Sequence, residues 1–115
     1  MRAEIDVPTA DRYRDLGRAD AVTDDFVVPY YLEDCKRRVS VARVDGRLYA
    51  FDDLCTCATP ACALSGGLLE STRIMCQCHG TWFDIATGAV IDGPAERPLT
   101  TYEVREVDGG IRLRA

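Results

Sequence analysis

The hexapeptide Cys76-Gln77-Cys78-His79-Gly80-Thr81 decides how this 115-residue chain is interpreted, because it places the sequence's only histidine directly after a C-x-C pair. A second pair, Cys55-Thr56-Cys57, lies upstream. Thiolates with one imidazole form a soft donor set that suits zinc or an iron–sulfur cluster, and spacing alone does not separate the two. Five of the six cysteines crowd between positions 55 and 78 without an export signal, which favours a metal site over a disulfide scaffold.

Short β-branched and aromatic runs on both sides of the cysteines predict an all-β fold. Two Asp-Gly dipeptides, at 45–46 and 108–109, separate alternating runs and predict two β-hairpins. Between them, residues 53–81 replace strand formers with Cys, Gly, Ser and Thr, so we expect an inserted site outside the core. The predicted strands are Phe26–Leu32, Arg38–Val44, Leu48–Asp52, Arg73–Cys76, Trp82–Ile85, Ala89–Asp92, Tyr102–Val107 and Ile111–Ala115.

The first 25 residues mix charges of both signs and show no sustained apolar period. We expect a loosely docked arm over residues 1–25, with a helical turn at Tyr13 to Leu16, and one domain over residues 26–115. The length allows a single compact domain with one modest core. The turn Asp92-Gly93-Pro94-Ala95 is expected to fold back over the cysteine region as a rigid flap.

Charge and hydropathy exclude several classes of partner. Lys plus Arg number 14 against 19 Asp plus Glu, a net charge of −5, and the basic residues form no stripe that would neutralise a phosphate backbone. No apolar run approaches the roughly 18 residues that span a bilayer, and no signal-peptide core is present. We therefore expect a soluble, cytoplasmic protein with no nucleic acid and no membrane as partners.

Acidic side chains offer either a docking surface for a basic partner or an ordinary solvated surface, and the sequence leaves both interpretations open. The candidates are Glu33, Asp34, Asp52, Asp53, Asp92 and Glu96.

The residues around both C-x-C pairs resemble those of Rieske-type [2Fe-2S] ferredoxins. The stretch 48–56 is similar to the strand that leads into the family's first ligand box, and 76–81 is similar to its second box, C-x-C-H-G-S/T. The stretches 82–90 and 93–95 resemble the family's strand, turn and proline loop. The similarity runs from about position 39 to 115. It implies a Rieske-type antiparallel β-sandwich with an inserted cluster-binding subdomain, whose loops lie at about 53–81 and 92–96.

The ligand set departs from the family at one position. The first box of the family is C-x-H, whereas Cys57 stands here at the histidine position. The resemblance implies that Cys55 and Cys76 hold the inner iron while Cys57 and His79 hold the outer iron of a [2Fe-2S] cluster. A thiolate in place of neutral imidazole adds negative charge, which predicts a reduction potential between about −150 and −400 mV.

Two other ligand arrangements remain open. The symmetry of the two pairs allows a set of four cysteines at 55, 57, 76 and 78 around a cluster, and zinc in place of iron is the third possibility.

The resemblance also assigns roles around the cluster. Thr81 occupies a serine position and is expected to donate its hydroxyl to a bridging sulfide, whereas Phe83 replaces a tyrosine of respiratory Rieske proteins, which lowers the potential. Either an apolar cover over the cluster or ordinary core packing is expected of Leu64, Trp82 and Pro94.

Cys62 and Cys78 fall where respiratory Rieske proteins place a disulfide between the two cluster loops. A reducing cytosol opposes that disulfide, so it stays open at this point. Cys35, between charged neighbours, is expected to be a structural thiol.

The resemblance implies a one-electron carrier between a flavin- or NAD(P)H-dependent reductase and a terminal oxygenase, either a ring-hydroxylating dioxygenase or a P450. The chain has no Gly-rich nucleotide fingerprint and no nucleophile–base pair, so we expect an electron-transfer component that is not itself an enzyme. The alternatives are a sensor with a labile cluster, a module like the small subunit of nitrite reductases, and a zinc-stabilised interaction module.

Overall fold

The computed structural model describes residues 13–56, 62–78 and 80–114, and ten β-strands lie in these ranges. The strands are β1 (Arg14–Arg18), β2 (Val27–Leu32), β3 (Arg37–Val44), β4 (Arg47–Asp52), β5 (Leu68–Glu70), β6 (Arg73–Met75), β7 (Trp82–Asp84), β8 (Val90–Asp92), β9 (Thr101–Val107) and β10 (Gly110–Arg114). The all-β prediction is confirmed. None of the helical segments in these ranges has the length and hydropathy that a bilayer crossing requires.

The strands form two antiparallel sheets. The larger has the order β1-β10-β9-β4-β3-β2 and the smaller the order β5-β6-β7-β8. In the larger sheet, β4 pairs with β9 through only two residue pairs, Ala50 with Tyr102 and Phe51 with Thr101. Side chains of β3 and β10, which have β9 and β4 between them in the order, nevertheless share one core, so the sheet curls over itself as a sandwich.

Both predicted hairpins are confirmed. Asp45 and Gly46 have φ values of 52° and 80° in the turn between β3 and β4. Asp108 and Gly109 have φ values of 50° and 77° in the turn between β9 and β10. Two consecutive positive φ angles match the twist of the flanking strands, and Asp-Gly adopts them at low cost.

The prediction of a loosely docked N-terminal arm is wrong for residues 14–22. β1 pairs with β10, Arg14 lying opposite Leu113, so Tyr13 to Leu16 leads into a strand instead of a helical turn. Ala19 and Val22 are each 1% exposed and belong to the core of the larger sheet. The sequence does not predict this strand because only one of its five residues is apolar. Such a composition is typical of a charged strand at the edge of a sheet. Residues 1–12 lie outside the described residues.

Two hydrophobic cores are present in the described part of the chain. One fills the larger sheet and comprises Ala19, Val22, Leu32, Val39, Val41, Ala50, Ile111 and Leu113. The other joins the smaller sheet to β3 and β4 and comprises Ala42, Val44, Phe51, Cys55, Leu64, Ile74, Cys76, Phe83, Ile85, Ala95 and Leu99. The expectation of a site outside the core is wrong for Cys55, Leu64, Ile74 and Cys76, because these residues of the 53–81 region are part of the second core.

Candidate metal centre

Cys55 and Cys76, the two predicted inner-iron ligands, lie close to the ends of two strands. Cys55 follows β4 by three residues, and Cys76 follows β6 directly. Their side chains are 3% and 0% exposed and belong to the same core cluster. The fold therefore brings these two predicted ligands into one water-poor environment.

The first cysteine loop is closed at its base by backbone hydrogen bonds. The N–H of Cys55 donates to the carbonyl of Cys62 at 2.8 Å, and the N–H of Leu64 donates to the carbonyl of Asp53 at 2.5 Å. A cross-strand bridge between Leu54 and Ala63 lies between these two bonds. The segments 53–55 and 62–64, which flank this loop, are thus held side by side.

The second cysteine loop is the turn between β6 and β7. The N–H of Cys76 donates to the carbonyl of Thr81 at 2.8 Å, and the N–H of Gly80 donates to the carbonyl of Cys76 at 2.9 Å. These bonds leave Cys76 buried at the base of the loop and Cys78 exposed near its tip.

A disulfide between Cys62 and Cys78 joins the two loops, with their Cα atoms 6.4 Å apart. The sulfur atoms of Cys62, Cys76 and Cys78 lie within 4.8 Å of one another. This trio is a poor metal site, because a sulfur in a disulfide is not a thiolate. The same disulfide removes Cys78 from the alternative four-cysteine ligand set.

A third segment, residues 93–99, touches both loops. The N–H of Ala95 donates to Thr81 Oγ1 at 3.1 Å, and Thr56 Oγ1 donates to the carbonyl of Arg97 at 2.7 Å. This segment follows β8 and contains the cis peptide bond Gly93–Pro94. Its contacts agree with the flap that was predicted from the sequence.

Thr81 is fully buried, and its hydroxyl oxygen accepts a hydrogen bond from the Ala95 N–H. Because the oxygen acts as the acceptor in this bond, the hydroxyl proton is available for donation to another acceptor in the site. The donation to a bridging sulfide stays a prediction. Phe83, two residues after Thr81, is fully buried. Its ring has no hydroxyl group that could donate a hydrogen bond to a ligand sulfur.

The three candidates for an apolar cover over the cluster differ in their solvent exposure. Leu64 is fully buried in the second core, which favours the packing interpretation for this residue. Pro94 is exposed, and Trp82 is half-buried on β7.

Both interpretations that the sequence leaves open for Asp53, a docking surface and a solvated surface, are wrong, because its side chain is fully buried. Its carboxylate forms an ion pair with Arg38 and accepts hydrogen bonds from Ser40 Oγ at 2.7 Å and from the backbone N–H of Ser65 at 2.7 Å. Ser65 Oγ donates to the same carboxylate at 3.2 Å. Sequence reasoning missed this role, for which the only local signal was the acidic residue two positions before Cys55.

Asp52 is half-buried and accepts a hydrogen bond from the hydroxyl of Tyr102, to which Arg37 donates at 2.9 Å. Burial and the bond to Asp52 raise the pKa of Tyr102 to about 12. Asp34 pairs with Arg14 at the surface. The six acidic candidates therefore do not form one exposed surface, although Glu33, Asp34, Asp92 and Glu96 are exposed.

The remaining predicted ligands, Cys57 and His79, lie outside the described residues. Cys35 is a free thiol and is exposed, so no packing role supports its prediction as a structural thiol.

Comparison with known proteins places this arrangement in a family. The family model of the Rieske [2Fe-2S] domain matches residues 14–103. The ferredoxin component of naphthalene 1,2-dioxygenase/salicylate 5-hydroxylase systems from Ralstonia sp is 35% identical over 69 residues, which are 60% of this chain and 64% of that protein. The chain thus spans just under two thirds of the length of this relative.

Two further proteins match over most of their length. The anthranilate 1,2-dioxygenase ferredoxin subunit of Burkholderia cepacia is 30% identical over 105 residues, which are 91% of this chain and 94% of that protein. The solved structure of a ferredoxin from Sphingomonas yanoikuyae B1 superposes with a TM-score of 0.80 at 33% identity and covers 90% of this chain and 98% of that chain. The chain belongs to the Rieske [2Fe-2S] domain family, and the predicted [2Fe-2S] cluster is that family's cofactor.

Proposed function

We propose that this protein is a one-electron carrier that accepts electrons from a flavin- or NAD(P)H-dependent reductase and passes them to a terminal oxygenase. The observation that carries the proposal is the pair of buried cysteines, Cys55 and Cys76, on two loops joined by a disulfide in a Rieske-family chain. The ferredoxin components of dioxygenase systems among its relatives support a ring-hydroxylating dioxygenase as the acceptor, with a P450 as the alternative.

The donor set fits a [2Fe-2S] cluster. Cys55 and Cys76 supply two soft sulfur ligands from separate loops, and we propose that Cys57 and His79 complete the set at the outer iron. The cluster, when bound, stores and releases single electrons. In this assignment the protein is a component of an oxidoreductase system, and the partner oxygenase turns over the substrate.

The chain's own residues control the environment of that electron. Leu64, Phe83 and Ile85 are at most 1% exposed and pack in the same core as the two cysteines, so they exclude water from the inner side of the site. Thr81 holds a hydroxyl proton in this dry environment, where a hydrogen bond to sulfur is stronger than in water. Exclusion of water and a directed donor are two of the means by which a protein tunes such a site.

The ligand assignment is tested on holo-protein that has been labelled with nitrogen-15 histidine and reduced with dithionite. We expect an EPR signal of a [2Fe-2S] cluster with hyperfine coupling to one directly bound imidazole nitrogen. His79→Cys should remove that coupling. A signal without nitrogen coupling in the wild type would contradict His79 ligation. A colourless protein that contains zinc would contradict the presence of a [2Fe-2S] cluster.

The carrier function is tested by turnover. Reduced protein should support substrate oxidation by a ring-hydroxylating dioxygenase when a flavin-dependent ferredoxin reductase and NADH are supplied. Omission of the protein is the control. Holo-protein that the reductase reduces but that no dioxygenase or P450 reoxidises would refute the proposed pathway.

A further inference from the structure

An apolar stripe crosses the outer face of the smaller sheet. Leu68, Met75 and Trp82 lie directly opposite one another on β5, β6 and β7, so their side chains share one face. The neighbours Ile74 and Phe83 are fully buried on the opposite face, as strand alternation requires. Leu68 is 48% exposed, and Met75 and Trp82 are half-buried, so this stripe meets solvent.

The stripe lies beside the second cysteine loop. Met75 directly precedes Cys76, and Trp82 directly follows Thr81, so the stripe borders the base of the loop that carries two predicted ligands. A protein seated on the stripe would contact the strand ends that flank the second cysteine loop.

The charges on this face of the sheet are mainly acidic. Asp92 lies opposite Trp82 in the same row, and the next row contains Glu70, Arg73 and Asp84. Arg73 is the one basic residue in the four strands of this sheet, and it pairs with Glu70 at 3.1 Å. Its guanidinium also stacks on the Trp82 ring at 5.2 Å, which holds the indole in place. Asp84 and Asp92 are therefore left to give the face a negative potential.

We propose that the stripe Leu68–Met75–Trp82 is the docking surface for a redox partner protein whose contact patch is apolar and rimmed by Lys and Arg. This proposal rests on the carrier function proposed above. Redox complexes lie at the small end of the range of interface areas and are steered by opposite charges. A large aromatic side chain at the centre of such a patch is typical of an interface hot spot.

Other occupants fit less well. Three side chains, two of them half-buried, do not supply the roughly 800 Å² per partner of a stable dimer, and two copies would bring acidic rims together. A membrane surface rich in anionic lipid would be repelled by the same rim.

The test uses the reduced holo-protein in stopped flow with two oxidants. Cytochrome c serves as a probe with an apolar, lysine-rimmed contact surface, and ferricyanide serves as a small oxidant that needs no docking surface. The apolar variants are Leu68→Ser and Trp82→Thr, and the matched control is Val107→Ser, another exposed apolar residue, at the hairpin between β9 and β10. The charge variant is Asp92→Asn, and its control is Asp45→Asn at the β3–β4 hairpin, the end of β4 opposite to Cys55.

We expect Leu68→Ser and Trp82→Thr each to lower the second-order rate constant with cytochrome c about fivefold or more, the effect of losing a hot-spot contact. The ferricyanide rate and the EPR signal should stay as in the wild type. Asp92→Asn should lower the rate only at low salt, because rim charges act on the encounter rate. The two controls should behave as the wild type does.

Unchanged cytochrome c rates in Leu68→Ser and Trp82→Thr would overturn the docking proposal. A parallel loss with ferricyanide, or an altered EPR signal, would also overturn it, because the side chains would then act through the cluster. If Trp82→Thr does not fold, Leu68→Ser decides the question. A wild-type protein that reduces neither oxidant would instead refute the carrier function, and the docking proposal with it.

Discussion

The buried carboxylate of Asp53 accepts the backbone N–H of Ser65 at 2.7 Å, and this contact ties the first cysteine loop to the larger sheet. The same carboxylate bonds to Arg38 and Ser40 of β3. One side chain therefore fixes the position of the loop relative to the strand beneath it.

Asp53→Ala should lower the free energy of unfolding by about 2 to 3 kcal/mol, because the buried Ser40 hydroxyl and the Ser65 N–H lose their acceptor and Arg38 loses its ion-pair partner. Urea denaturation of the holo-protein measures the change, and Asp92→Ala, which removes an exposed carboxylate, is the control. Equal unfolding midpoints for the two variants would show that the buried network contributes little.

Replacement of both Cys62 and Cys78 by serine should lower the free energy of unfolding by about 3 kcal/mol, the value for a closed loop of this length. The holo-protein should also release iron faster to a chelator, because the two loops are no longer joined. Cys35→Ser, which removes an exposed thiol, is the matched control. The same rate of iron release from all three proteins would contradict a role of the disulfide in cluster retention.

Thr81→Val should lower the reduction potential by about 40 to 60 mV, because a hydrogen bond of about 1 kcal/mol to the reduced cluster is lost. Thr81→Ser keeps the hydroxyl and should keep the potential close to that of the wild type. Voltammetry of the three proteins measures the difference. If the valine and serine variants have the same potential, the hydroxyl does not donate to the cluster.

Cys57→His should raise the reduction potential, because neutral imidazole replaces a thiolate and removes one negative charge from the ligand set. The wild-type potential is expected between about −150 and −400 mV, and the variant should lie above it. The same voltammetry, with EPR to verify an intact cluster, tests this. A variant whose potential equals that of the wild type would show that Cys57 is not a ligand.

The raised pKa of Tyr102, about 12 in the folded protein, predicts an alkaline loss of stability. In the unfolded chain the pKa of this phenol is about 10. The contribution of the neutral phenol to the free energy of unfolding is therefore fully present below that pH and is lost as the pH rises toward 12. Tyrosinate absorbance and urea midpoints between these pH values measure it. Tyr102→Phe should flatten the decline, whereas Tyr31→Phe, at an exposed tyrosine, should leave it unchanged.

The parts of the fold that the sequence predicts are those with local causes. The Asp45-Gly46 and Asp108-Gly109 turns need positive φ angles that this dipeptide adopts readily, so both hairpins could be predicted. β1 could not, because its five residues carry one apolar side chain and their partner strand lies at the other end of the chain.

The same distinction applies to the site. The shared location of Cys55 and Cys76 could be predicted because the residues beside them match a family pattern, and their role as ligands stays a prediction. The sequence does not decide the Cys62–Cys78 disulfide, since it depends on the distance between two loops, which local sequence does not determine. The inward orientation of Asp53 depends on Arg38 and Ser65, one on each side of it in the sequence, and no short motif encodes that arrangement.

The three segments around the cysteines are linked in pairs by the Cys62–Cys78 disulfide, the Thr56–Arg97 bond and the Ala95–Thr81 bond. A site held by such cross-links changes its geometry little when its charge changes, which keeps the reorganisation energy of electron transfer small. The proposed carrier gains an electron in one encounter and loses it in the next, and this stiffness lowers the activation barrier of both steps.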